Sequence, residues 1–453
     1  MKCSFSQCDR KVVLHITPHW GGGVGRVLFS YMNRVKNCPE YVHRVYSLEY
    51  ANDMAQDASK TIGFDLRDKM SFDHDRLLSA IAEADIVLIH WWNHPLLYDL
   101  LVRRTLPASR LIIWSHIAGF HPPYVFPPAA LQYPDLFVFT SPLSLNVSEV
   151  QNLSAKEKQK LRVIWSTGGV DRLENVKPTE HSGFNVGYIG TVDYGKLHPH
   201  FLKMCSKVNI PHVRYIVCGG PSEKNIQEES KRYEKRDQFF FTGPIHNVEH
   251  YLSTFDVFGY PLAPYHYGTC EQALGECMAA GVPPVVLANP TESLIVEHCI
   301  TGLVASDEDS YARSVEELYR NPLLRKKLSD NARGTATERY SLDRMVSCWN
   351  KVYSEALTIP KTPKKWMGRF YGENADAAHV FVESLGHHSS CFLKHLEARS
   401  REEQENAVGS IRDLYRASPL WQATTRGTAK HYAHFFPEDQ RLKIWKEITE
   451  PDG

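Results

Sequence analysis

Short, nearly uninterrupted apolar runs alternate with helix-patterned stretches as far as residue 357, and this alternation constrains the fold more than any other feature. Lys11–Thr17, Asp85–His90 and Arg110–His116 show little polar alternation, and Leu136–Thr140 and Leu161–Trp165 continue the series. Runs of that texture are strands covered on both faces, and strands separated by helices build parallel βαβ units. After the polar stretch Asn175–Gly183 a second series begins, with Phe184–Gly190, Val213–Gly219, Gln238–Thr242, Asp256–Leu262 and Pro284–Leu287. The spacing predicts helices over 24–36, 76–83, 197–208, 247–253, 271–280, 310–320 and 342–357, the last packing back toward the first series. Beyond Pro360 the texture becomes helical, charged and rich in His and aromatics. The expected architecture is α/β: two Rossmann-like domains, 1–177 and 178–358, whose parallel sheets face a functional cleft, and a helical C-terminal appendix over 363–453.

A chain of 453 residues exceeds one ordinary core, in keeping with two large domains. Lys+Arg and Asp+Glu both number 52, so no bulk charge draws the protein to nucleic acid or anionic lipid. The ten cysteines form no paired framework; Cys3 and Cys8 stand near the start, and Cys270, Cys277 and Cys299 share one apolar region. Met1–Ser6 lack the apolar run of a signal peptide, so reduced thiols and a cytoplasmic location are expected. No apolar stretch approaches the roughly 20 residues of a membrane span, which leaves only peripheral membrane attachment open. Without a secretory signal, the acceptor-like triplets at Asn146 and Asn152 read as chance.

Three constellations carry chemistry. In His15–Arg26 a strand runs into Gly21-Gly22-Gly23 and a helix start, where glycines admit close approach and free N–H groups face an anion. The Walker lysine is absent, which excludes a P-loop. Second, Phe184–Gly190 is followed by Lys196, a point charge near a strand end that suits a phosphate. Third, Gly268-Thr269-Cys270-Glu271 leads into a helix with Glu276 among Leu274, Cys277, Met278 and Ala279. A carboxylate there needs partners, and the paired hydroxyls of a ribose would serve. Each has a plain alternative: a tight turn, a solvated lysine, and, for Glu271, an acid that complements a helix dipole.

Over roughly residues 10–357 the chain resembles the retaining glycosyltransferases of the GT-B fold, closest to glycosyltransferase family four. The resemblance rests on Gly21–Gly25, Gly190 with Lys196, Glu276-Cys-Met-Ala-Ala-Gly281, Glu292 and Gly302-Leu-Val304. It implies that Glu276 grips the nucleotide ribose, that Lys196 neutralises the diphosphate, and that His116 is the strand-end histidine. Two departures stand out: Thr191 replaces an arginine, and Gly268 replaces a glutamate eight residues before Glu276, whose donor contact would then pass to Glu271.

The implied reaction moves a sugar from a nucleotide diphosphate sugar, with UDP and GDP as candidate carriers, to an acceptor with retention and without a metal or other cofactor. The leaving phosphate would be met by Lys196, the amides of Gly268, Thr269, Cys270 and Glu271, and, from across the cleft, Gly22 and Gly23; it would also help deprotonate the acceptor. His116, Lys196 and Glu271 are the expected catalytic groups, with Gly190 and Glu276 completing the donor site. Trp91, Trp92, His94 and His121, at strand ends of the first series, are the expected acceptor contacts. The acceptor's class (glycan, lipid, protein or small molecule) is not readable. No metal site is expected: Asp73 and Asp75 open a helix, His90 ends a strand, and His198/His200 and His387/His388 lack a third ligand at a convincing spacing. The competing readings are a nucleotide-sugar epimerase, a phosphorylase, and a non-catalytic nucleotide-sugar-binding protein.

Overall fold

A computed structural model of the chain describes residues 10–448. Cys3, Cys8 and the opening Met1–Ser6 lie outside the described residues. The chain forms two compact units, residues 1–164 with 346–453, and residues 165–345.

The sheet of the first unit is built from β1 (Lys11–Thr17), β2 (Tyr41–Ser47), β3 (Asp65–Arg67), β4 (Ile86–Trp91), β6 (Leu111–Ser115), β7 (Leu136–Phe139) and β8 (Leu161–Val163), with β5 (Leu106–Ser109) outside it. Its order is β3-β2-β1-β4-β6-β7-β8, and every pairing is parallel. The chain turns to one side of β1 and then to the other, so the strand order reverses between β1 and β4. That reversal opens a crevice at the carboxyl ends of the two strands. β4 is buried along its whole length, as its apolar run requires.

The second unit repeats the scheme with β9 (Phe184–Ile189), β10 (Val213–Cys218), β11 (Phe239–Gly243), β12 (Val257–Tyr260), β13 (Pro284–Leu287) and β14 (Leu303–Ala305). Its parallel order β11-β10-β9-β12-β13-β14 places the reversal between β9 and β12. Gly219, at the end of β10, has φ +135, and a Cβ there would lie 1.8 Å from the Gly190 carbonyl. Only glycine lets the ends of β9 and β10 approach so closely.

The first division falls at 164/165, ahead of the 178 expected from composition. Val170 and Leu173 are the reason, because both are buried in the apolar core built on β9–β14. The C-terminal segment likewise belongs to the first unit and does not stand apart as an appendix. Its short strand β15 (Thr362–Lys364) pairs antiparallel with β5, and Lys364 meets Asp135 at 2.7 Å. Arg103 donates to the Ala375 carbonyl at 2.7 Å, and Asn93 donates to that of Ser384 at 3.2 Å. The helices that follow bury Phe381, Phe392, Trp421, Tyr432 and Trp445.

Glu383 anchors this segment from within. Its carboxylate accepts the Trp366 indole N–H at 2.6 Å and the Phe370 amide at 2.8 Å. Glu383→Leu strands both donors, and unpaired buried donors cost about 1–3 kcal/mol each. We expect a loss of roughly 2–6 kcal/mol in the first unit, read as a lower urea midpoint by tryptophan fluorescence; an unchanged midpoint would contradict this anchoring role.

Candidate functional site

The reversal between β9 and β12 gathers four ionisable side chains. After β9, Asp193 closes a turn by accepting the Lys196 amide on Oδ1 at 3.0 Å, which fixes the lysine near the strand end. After β12, the loop to the helix Gln272–Ala279 brings in His266 and Glu271, and Glu292 comes from the helix Pro290–Ile295. Lys196 Nζ lies 2.8 Å from Glu271 Oε2, an oxygen that also accepts the Tyr260 hydroxyl at 2.6 Å. His266 Nε2 is 3.1 Å from the Glu292 carboxylate, and its Nδ1 is 3.8 Å from Glu271 Oε1.

Burial opposes charge on Lys196, Glu271 and His266, and attraction within the cluster outweighs it. Burial works against the Lys196 ammonium, yet Glu271 raises its pKa; burial works against the Glu271 carboxylate, yet Lys196 lowers its pKa. For His266, burial is outweighed by Glu292 and then Glu271, which raise its pKa. The Gly268 amide, however, donates to His266 Nδ1 at 3.1 Å and needs its lone pair. That bond favours the neutral ring with its proton on Nε2, facing Glu292.

Glu271 does not cap the helix it precedes, although it occupies the N-cap position. Its carboxylate turns back over Gly268, where a Cβ would fall 1.6 Å from Glu271 Oε1. The carboxylate therefore fills the space in which any side chain at 268 would begin. Thr291 holds the same loop by donating to the Gly268 carbonyl at 3.0 Å. Glu276 is buried one turn further along, with Oε1 3.2 Å from Arg172.

In the first unit the reversal between β1 and β4 gathers histidines and aromatic rings. Four imidazoles, three of them buried and His116 part-exposed, form a chain: His43 Nδ1 to His15 Nε2 at 2.9 Å, His15 Nδ1 to His90 Nε2 at 3.1 Å, and His90 Nδ1 to His116 Nε2 at 3.1 Å. Burial pushes His43 down to about 4 and His116 to about 3, and holds His15 and His90 well below 6.5. Beside the chain, His19 stacks on Tyr50 with centroids 5.1 Å apart and meets Trp92 edge-on at 5.1 Å. His94 accepts the Leu96 amide on Nδ1 and sets Nε2 3.3 Å from Glu49. The C-terminal segment adds His431 and Phe435, whose rings lie 4.9 and 5.2 Å from that of His94.

Residues 171–335 match the family described as glycosyl transferases group 1. Among solved structures, HepE of Anabaena with UDP and glucose superposes with a TM-score of 0.61 at 13% identity, covering 76% of this chain and 100% of that one. A glycosyltransferase of Rickettsia africae gives 0.61 at 13%, covering 77% and 99%. Sucrose-phosphate synthase of Thermosynechococcus elongatus gives 0.58 at 14%, covering 77% and 100%. No curated protein matches in sequence. The chain has the GT-B fold.

Within that GT-B fold the expected donor residues divide. Lys196, Gly268 and Glu271 come together, and Thr269 is buried in the same loop. Cys270 turns its thiol away, donating to the Ser166 carbonyl at 3.1 Å, and burial pushes its pKa up to about 12. The Gly190 amide bonds to Cys218 at 3.0 Å and closes the end of β9. Gly22 and Gly23 open the helix Gly22–Val35, which has no capping side chain and no acid in its first turn. Thr191 lies 3.5 Å from the Tyr267 hydroxyl.

The acceptor residues divide too. Trp91, the last residue of β4, is 0% exposed and packs against Tyr98, Phe126 and Phe137, so it has no face for an acceptor; Trp92 and His121 are part-exposed. The histidine pairs set aside for want of a third ligand acquire one from the fold, Glu308 beside His198/His200 and Glu149 beside His387/His388. Lys203 and Lys207 also reach Glu308, making that group an ion-pair cluster. Asp73 caps the helix His74–Glu83 by accepting the Arg76 amide at 3.2 Å. Tyr260, His266, His19, Tyr50, Glu49, His431 and Phe435 escaped sequence reasoning, since nothing local marks partners so distant in the chain.

The histidine chain has a thermodynamic consequence. Its rings are neutral in the folded protein, whereas below their ordinary value of 6.5 they are protonated in the unfolded one. Their contribution is therefore complete at pH 7 and is lost as pH falls. Four protons bound on unfolding give a slope of about 5 kcal/mol per pH unit below pH 6. We expect the first unit's urea midpoint to fall steeply between pH 6.5 and 4.5, and to fall less steeply in His43→Gln; equal slopes would refute this.

Proposed function

We propose that the protein is a retaining, metal-independent glycosyltransferase that takes a sugar from a nucleotide diphosphate and delivers it to a hydroxyl acceptor. The observation that carries this reading is the Lys196–Glu271 pair, 2.8 Å apart at the strand-order reversal of the unit that matches the glycosyl transferases group 1 family. A departing diphosphate gathers negative charge, and a buried, preorganised ammonium stabilises that charge far more than a solvated one. Such an ammonium can do the work that a divalent ion does elsewhere. Because HepE was captured with UDP-glucose, uridine diphosphate sugars are the donors to test first.

Glu271 takes the donor-sugar role that the resemblance assigns to a carboxylate at position 268. Two facts support this: Gly268 leaves the space, and the Glu271 carboxylate occupies it. Glu276 binds the ribose hydroxyls, sharing its carboxylate with Arg172. In the first unit, Trp92, His121, His19 and Tyr50 offer ring faces and ring nitrogens suited to a sugar-like acceptor. The eight described cysteines are free thiols, which suits the cytoplasm, and no described helix is long and apolar enough to cross a membrane.

Two experiments test this reading. Thermal shifts with UDP, GDP and their sugars should single out one nucleotide, and Glu276→Ala should weaken it about 10–100-fold, the loss expected for charge-assisted hydrogen bonds; an unaltered shift would remove Glu276 from the site. Gly268→Glu should lower both thermal stability and diphosphate release, because the new side chain collides with Glu271. The double variant Gly268→Glu/Glu271→Gly should recover much of both. Recovery of stability without release would deny Glu271 its donor role, and release that stops when a chelator is added would refute metal independence.

A further inference from the structure

The four-histidine chain follows one rule of register. Trp114 pairs with His90, Leu88 with His15, and Val13 with His43. His116, His90 and His15 each lie two residues beyond the partner of the next histidine. A constant offset of two keeps all four side chains on one face of the sheet while the chain crosses β6, β4, β1 and β2 diagonally. His116, just past β6, is the part-exposed end, and the other three rings are buried.

The atoms in contact impose a second rule. Every junction joins the Nδ1 of one ring to the Nε2 of the next. A neutral imidazole has one N–H and one lone pair, so each inner ring that donates at one nitrogen accepts at the other. Only two fully bonded states exist: all four rings protonated on Nε2, or all four on Nδ1. Any mixed state sets N–H against N–H, or lone pair against lone pair, at about 3 Å inside the protein.

We propose that His116, His90, His15 and His43 act as one tautomeric unit that carries a proton across the sheet without creating a buried charge. In the Nε2–H state, His116 Nδ1 presents a lone pair at the carboxyl edge of the sheet. When a hydroxyl gives its proton to that atom, His116 Nε2–H passes to His90 Nδ1. His90 Nε2–H then passes to His15 Nδ1, and His15 Nε2–H to His43 Nδ1. His43, at 7% the most exposed of the three buried rings, gives its own Nε2 proton to solvent water. One proton enters, one leaves, and every ring is neutral before and after. The surroundings suit this: Tyr31, Tyr41 and Tyr353 lie around His43, and Trp114 and Trp92 around His116. Burial raises the pKa of Tyr31 and of Tyr353, keeping both phenols neutral. His90, His15 and His43 are thus positioning residues that decide whether His116 offers a donor or an acceptor. The coupling rests on the three contacts alone; its use on a sugar hydroxyl rests on the transferase reading.

The test is long-range proton–nitrogen NMR of the full chain labelled with 15N-histidine, at pH 7.5 and without ligand. The four signals are assigned by single Gln substitutions. The expected result is four neutral rings in one common tautomer, with His15→Phe driving His116, two rings away, toward a tautomer mixture. Opposite tautomers among the four, or an imidazolium signal at any of them, would overturn the proposal. So would a His116 spectrum indifferent to a folded His15→Phe; if that variant does not fold, His43→Gln supplies the same remote comparison from the rim. Adding the nucleotide sugar that gives a thermal shift should move all four signals together, and movement of His116 alone would overturn the coupling. Failure of every nucleotide sugar to bind would count against the transferase reading and leave the ligand-free result to decide the chain.

Discussion

The polar cluster of the second unit depends on keeping an ammonium and a carboxylate in contact where water scarcely reaches. Desolvating either ion alone costs several kcal/mol, and only close pairing with further hydrogen bonds offsets it. Lys196 and Glu271 meet that condition through the Tyr260 hydroxyl and the turn closed by Asp193. In the proposed reaction a diphosphate would compete with Glu271 for the ammonium, leaving the Glu271 carboxylate on the Tyr260 hydroxyl. The loop geometry follows from this: Gly268 has to be glycine because the paired carboxylate lies over it.

The two units solve the same problem with different chemistry. Both reverse their strand order at the first and fourth elements of a parallel series, and both place polar side chains at the carboxyl ends flanking the reversal. The second unit balances opposite charges there. The first holds its four linked imidazoles neutral, using burial to push them below their working range. Formal charges suit the stabilisation of a leaving diphosphate, whereas neutral donor–acceptor groups suit hydroxyls, which offer both a proton and lone pairs.

How much of this was legible in the sequence follows from range. Strands with continuous apolar runs, such as β1, β4, β9 and β13, were visible because burial on both faces writes itself into every residue. β2 was missed because His43 and Arg44 break its apolar texture, and β3 because three residues at a sheet edge carry no period. Glu276 was singled out because a charge in an apolar helix is a local anomaly, and Lys196 and Glu271 because each stands beside a strand end or a helix start. Tyr260 and His266 were missed because an aromatic or a lone histidine beside a strand is not. The boundary near 178 was misplaced for a similar reason: a polar linker is conspicuous, while the burial of Val170 and Leu173 ahead of it is not.

The histidine chain shows that limit most clearly. His15, His90 and His116 each sat at or near the end of a recognised strand, and their strands were assigned to one parallel sheet. What linked them was the two-residue offset between neighbours, and register between parallel strands is fixed by the connecting helices and the packing on both faces, not by the strands themselves. A one-residue slip at any junction would send one imidazole to the opposite face and open the chain. The register that buries the apolar face therefore also sets the hydrogen-bond sequence, so a change in core packing that moved β4 along β1 would break the path from His116 to His43 without touching a histidine.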